Sequence, residues 1–176
     1  MSGNLSAARK FDLWSIAAIL LLTLIVYGNS LKNDFTNWDD PGLVIANTAI
    51  TSLSLENIFN IFTPRAGHTY QPVRVLSYAI DYHFWQLDPV GYHLGNTLLH
   101  GLAAVILYFL LATILEQMGE HSPGKSARTI ALFAALLFVV HPVNVESVAW
   151  VASRKYGLLT FFTFLSFYLY LKSCLL

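Results

Sequence analysis

Four apolar runs, each close in length to the thickness of a bilayer, constrain this chain more than any other feature. The first covers residues 13–27 and extends to 31. About 20 helical residues at 1.5 Å each cross about 30 Å of hydrocarbon. The second covers 92–115. The third begins at Ile130, is purely apolar to Val140, meets His141-Pro142, and is expected to continue over 143–152. The fourth covers 156–176, interrupted late by Lys172. Only 11% of the residues are charged, where soluble domains run near 25%. The fold class that follows is an all-α polytopic membrane protein. It has about four transmembrane helices and a long, partly helical outer loop between spans 1 and 2.

The segments read as a cytoplasmic N-terminus (1–12), a first span (13–31), an outer loop (32–91), a second span (92–115), a cytoplasmic loop (116–129), a third span with its outer turn (130–155) and a fourth span (156–176). Basic residues close to spans face the cytoplasm. Arg9 and Lys10 precede the first span, and Lys125 and Arg128 lie in the short loop, so the long loop falls outside. Arg154-Lys155 breaks that pattern, which invites either a functional reading or snorkelling at a helix end. A signal peptide is the rival account of the first run. Tyr27-Gly28-Asn29-Ser30-Leu31 is a poor cleavage site, which favours a retained span. Zero formal net charge gives no case for nucleic acid. A single cysteine, Cys174, builds neither a disulfide framework nor a cysteine metal site.

The outer loop carries its own helix signals. Ser54 is a plausible N-cap, with Glu56 in the first turn. Leu55, Ile58, Phe59 and Phe62 fall on one face, and Pro64 ends the segment. Pro72 suits a first helical position, and that helix is expected to run to about Trp85. Arg74, Ser77 and Asp81 form a polar stripe along it.

Asp39-Asp40 is the strongest candidate for chemistry. Adjacent like charges raise the pKa of at least one carboxylate, which suits a general base taking a proton from a hydroxyl. Alternatively, one acid is the base while the other orients it or holds a divalent metal. The bland account is a turn, since Asp-Asp-Pro-Gly is good turn chemistry. His68, Arg74, Arg154 and Lys155 are candidate phosphate partners. His93, Asn96 and His100 form one polar stripe on the second span, for which interhelical hydrogen bonding is the plain explanation of the last two. Glu146 follows His141-Pro142 at or near membrane depth, where an acid is costly without a role or partner. Walker, dinucleotide and zincin motifs are absent, and no repeat at tetratricopeptide spacing is visible.

Taken together, several segments resemble one family. They are Phe35-Thr36-Asn37-Trp38-Asp39-Asp40 with Ile45-Ala46-Asn47, then residues 67–78, then Gly91-Tyr92-His93-Leu94-Gly95-Asn96 through His100, and finally 132–150 around His141-Pro142. The chain resembles the N-terminal part of GT-C type membrane glycosyltransferases. The likeness is greatest to transmembrane O-mannosyltransferases with C-terminal tetratricopeptide repeats, and to their bacterial relatives. It covers about residues 11–172. It implies inverting transfer of a sugar from a polyprenyl- or dolichyl-phosphate donor to a hydroxyl, a protein Ser or Thr in the mannosyltransferase branch. It also implies an integral location in a bacterial inner membrane or the endoplasmic reticulum, with the long loop periplasmic or luminal. Asp39 or Asp40 would be the base, and His68, Arg74, His93, Glu146, Arg154 and Lys155 would be the substrate-binding candidates. Relatives carry many more spans, so a fragment of a longer protein is expected. The competing readings are a noncatalytic membrane anchor or scaffold, and an inactive truncated form.

Overall fold

The computed structural model describes residues 2–64, 69–118 and 124–175. His68 lies outside them. Every regular element among the described residues is helical, and the chain is an all-α polytopic membrane protein. Helix α1 (Ser2–Tyr27) runs through the first apolar stretch, whose residues 13–27 include neither glycine nor proline, and tightens into a 3-10 turn at Gly28–Lys32. Together Ala7–Lys32 form a span of mean hydropathy 2.0. The outer segment then folds into a π-turn (Pro41–Ile45), a 3-10 turn (Thr48–Ile50), α2 (Leu55–Ile61) and α3 (Pro72–Trp85).

Helix α4 (Pro89–Met118) is the axis of the molecule, with mean hydropathy 2.4. It packs against α1, α5 (Gly124–Val140) and α7 (Arg154–Cys174). Small buried residues on α4 permit this, among them Ala103, Ala104 and Ala112. Ala104 and Ala112 meet Ile19, Ala131, Ala135 and Val139 in the bundle core. At the end of the bundle away from the acidic turn, Arg128 of α5 pairs with Asp12 of α1 and, at 2.9 Å, with Glu116 of α4. The Tyr108 hydroxyl donates to Asp12 at 2.6 Å.

Several boundaries differ from the sequence expectation. Helix α1 starts at Ser2, ahead of the apolar run that begins at 13, and α4 starts at Pro89, ahead of the run that begins at 92. Residues 143–152 do not continue the third span as one helix. Proline lacks an N–H and pushes the residue before it out of the helical region, and His141 is extended (ψ 125°). The axis bends by 51° into a short turn and α6 (Val145–Ala149). Trp150 is extended again (ψ 122°), Val151–Ser153 is a 3-10 turn, and α7 begins at Arg154. Residues 141–153 thus form a broken elbow on the outer side of the bundle. A second core joins this elbow to the loop through Val44, Ile50, Tyr78, Ala79, Tyr92 and Val151.

Candidate active site

The acidic turn is built by capture from a distance. Residues 33–36 form no helix or strand, and Pro41 pre-sets the backbone of the π-turn. Asp40 is fully buried. Its Oδ2 accepts from the Thr36 backbone N–H at 2.8 Å and the Thr36 hydroxyl at 3.0 Å. Its Oδ1 accepts from the Ala152 N–H of the elbow at 2.9 Å. Asp39 points the other way. It is exposed, and among the described residues its carboxylate makes no hydrogen bond or ion pair; only its backbone carbonyl is engaged, by the Leu43 N–H at 3.0 Å. The neighbouring acids therefore do not act as a facing pair. One fastens the turn, and the other is exposed to solvent.

An aromatic stack abuts them. Trp38 is 80% exposed and lies on Trp150, with ring centroids 5.7 Å apart and planes 28° from parallel. Trp150 is held by its carbonyl, which accepts from Asn96 Nδ2 at 3.0 Å.

Arg154 lies beneath this layer and is only 3% exposed. Its Nε donates to Asn96 Oδ1 at 2.6 Å and its Nη2 to the Tyr92 carbonyl at 2.8 Å. Its Nη1 donates to the Ser77 hydroxyl at 3.3 Å and pairs with Asp81. The guanidinium also sits 4.7 Å from the centre of the Tyr78 ring. Burial raises the Asp81 carboxyl above its usual range, and Arg154 partly opposes that shift. Burial likewise pushes the Tyr78 phenol up to about 12; its hydroxyl donates to the Val151 carbonyl at 2.8 Å.

The remaining candidates are dispersed. His93 is buried, its ring against the Asp34 and Ala149 backbones, with neither nitrogen in a well-formed hydrogen bond. His100 approaches the Val139 carbonyl at 3.4 Å within the bundle. Glu146 is exposed in the first turn of α6. Lys155 is exposed at the start of α7, with its ammonium 4.9 Å from the Tyr156 ring centre. Arg74 is buried and borders a cavity in the outer segment. No group of three or more His, Cys, Asp or Glu among the described residues is placed to hold a metal. With both Asp40 oxygens bonded within the fold, Asp39 is the carboxylate of the turn left for an outside group.

The chain is similar to protein O-mannosyl-transferase TMTC3 of Mus musculus, 31% identical over 166 residues and 90% of this chain. It is 28% identical over 88% of its length to protein O-mannosyl-transferase TMTC4 of the same species. To protein O-mannosyl-transferase F38B6.6 of Caenorhabditis elegans it is 27% identical over 94%. The chain is a relative of the protein O-mannosyl-transferases. It spans 22%, 17% and 24% of the lengths of TMTC4, TMTC3 and F38B6.6 respectively. No family model and no solved structure matches it.

In this O-mannosyl-transferase relative, the structure brings Asp39, Asp40, Trp38 and the elbow together, and it sets Arg154 apart in the layer below. Sequence reasoning missed Trp38, Trp150 and the Ala152 N–H. The aromatic next to the acids was a usable signal for Trp38. A backbone donor 112 positions from its acceptor leaves no mark in the sequence.

Proposed function

We propose that this chain supplies the acidic outer turn of a membrane glycosyltransferase. That enzyme moves a sugar, mannose by analogy with the relatives' names, from a polyprenyl- or dolichyl-phosphate donor to a hydroxyl, such as a protein Ser or Thr. The supporting observation is the division of labour at the turn: Asp40 is buried and triply bonded, whereas Asp39 beside it is exposed and unbonded. Asp39 is the general base. The acceptor oxygen attacks the anomeric carbon, its proton passes to Asp39, and the bond from that carbon to the phosphate oxygen breaks, leaving the electron pair on the lipid phosphate. Attack from the face opposite the leaving group inverts the anomeric centre.

Arg154 has its donors committed to protein acceptors and serves here as a structural cation. Lys155, exposed on the outer elbow, is the better-placed charge for the leaving phosphate. No step is assigned to a metal. The outer loop faces the lumen or periplasm in this reading, in the endoplasmic reticulum or a bacterial inner membrane.

The test compares Asp39→Asn and Asp40→Asn in the membrane-embedded protein, with a polyprenyl-phosphate-linked mannose donor and a Ser/Thr peptide. Asp39→Asn should lose about 10²–10⁴-fold of transfer with an unchanged melting temperature. Asp40→Asn should lower stability by about 2 kcal/mol, and transfer with it. Full transfer by Asp39→Asn removes the proposed base.

A further inference from the structure

The outer segment contains a cavity of about 640 Å³, within the range of small-molecule sites. It lies between the π-turn, α2 and the first turn of α3. Its described lining includes Asn47, Asn60, Thr48, Thr63, Gln71 and Arg74. All of its described lining residues come from positions 42–75, outside the candidate spans.

Two unmet requirements converge there. Arg74 is 7% exposed, yet it forms no ion pair among the described residues, and its Nε is buried without a hydrogen-bond partner. A buried guanidinium without a counter-charge costs several kcal/mol. Second, the 14-residue helix α3 begins at Pro72, and Gln71 provides no side-chain cap. The positive end of a helix with free N–H groups favours an anion. The Gln71 Oε1 is also buried and unpartnered; as an acceptor it calls for a hydroxyl donor in the same wall, not for the anion. A single oxyanion would answer both positive features.

We propose that this cavity is a binding site for an oxyanion, a phosphate group in the first instance, delivered from the water side, with Arg74 as its counter-charge. The neutral Asn60 amide and Thr48 hydroxyl in the lining suit the hydroxyl-bearing remainder of such a ligand, as in a sugar phosphate. The inference stands on the cavity and on Arg74. It does not require Asp39 to be a base.

The experiment is a thermal melt of the purified chain in detergent, titrated with inorganic phosphate, with a hexose 1-phosphate, or with a polyprenyl phosphate in the micelle. Ligand that binds the folded state raises the midpoint saturably. The soluble phosphates should do so in the parent protein and not in Arg74→Met, which also subtracts the general stabilisation that phosphate gives proteins. Asn60→Asp places a like charge at the exposed rim and should weaken the response roughly tenfold; it decides the matter if Arg74→Met does not fold. Equal responses in parent and variants, or no response, overturn the site. A response to the polyprenyl phosphate alone overturns the water-side source.

Discussion

Arg154 shows how one residue can consume its surroundings. Its acceptors come from two elements, Ser77 and Asp81 on α3 and Tyr92 and Asn96 on α4. A buried cation is tolerated when its donors are satisfied in this way. Removing it by Arg154→Met orphans all of these acceptors and should cost about 3–5 kcal/mol in detergent denaturation. Asp81→Asn keeps an acceptor but leaves the buried Arg154 guanidinium without its counter-charge, and should also cost about 3–5 kcal/mol. The pH dependence follows the same sign. A carboxyl raised above its ordinary 3.8 binds its proton more tightly when folded, so its stabilising contribution is fullest below that value and is lost as pH rises through the folded value. In Arg154→Met the opposing charge is gone, and that loss should move to higher pH. Residues 154–155 were legible as an exception to the charge pattern. The use of Arg154 was not, because its partners lie 58 to 77 positions away.

At the scale of elements, local signals were readable where local chemistry decides. Ser54 caps α2, its hydroxyl accepting from the Asn57 N–H at 3.2 Å, and α3 spans Pro72–Trp85 as the proline and periodicity implied. The elbow was only half legible. His141-Pro142 announced a bend, but the apolar run beyond it reads as more helix. The extended backbone at Trp150 is set by partners elsewhere in the fold. Two close approaches give tests. A Cβ at Gly95 would lie 2.8 Å from Arg154 Nη2 and 3.3 Å from both Asp81 oxygens, and both of those groups are fixed. Gly95→Ala should therefore destabilise by about 1–3 kcal/mol. Gln86, between α3 and α4, has φ 53°, a region that favours glycine. Gln86→Gly should gain about 1 kcal/mol. Thermal midpoints in one detergent check both.

For the whole molecule, the apolar runs and the sparse charge were enough to give the class and the central role of membrane helices. The vertical order of the site was not available from them. Arg128, Asp12 and Glu116 form an ionic cluster at one end of the bundle, and the Arg154–Asp81 pair lies with the acidic turn at the other. If the charge pattern sets orientation as expected, a Cys174→Ser, Asn60→Cys protein should react with a membrane-impermeant maleimide from the luminal or periplasmic side. Labelling only from the cytosol would reverse the topology and end the transferase proposal in its present form.

The bond from the Ala152 amide to Asp40 spans 112 positions, which carries a consequence for biogenesis. At about 5–20 residues per second, a ribosome delivers that amide roughly 6–22 s after Asp40 is made. Until then the nascent loop lacks its fastener, and the exposed acid beside it has no defined direction. If Asp39 is the proposed base, the turn would become competent only after residue 152 has been delivered, and a half-made chain would be kept from premature chemistry.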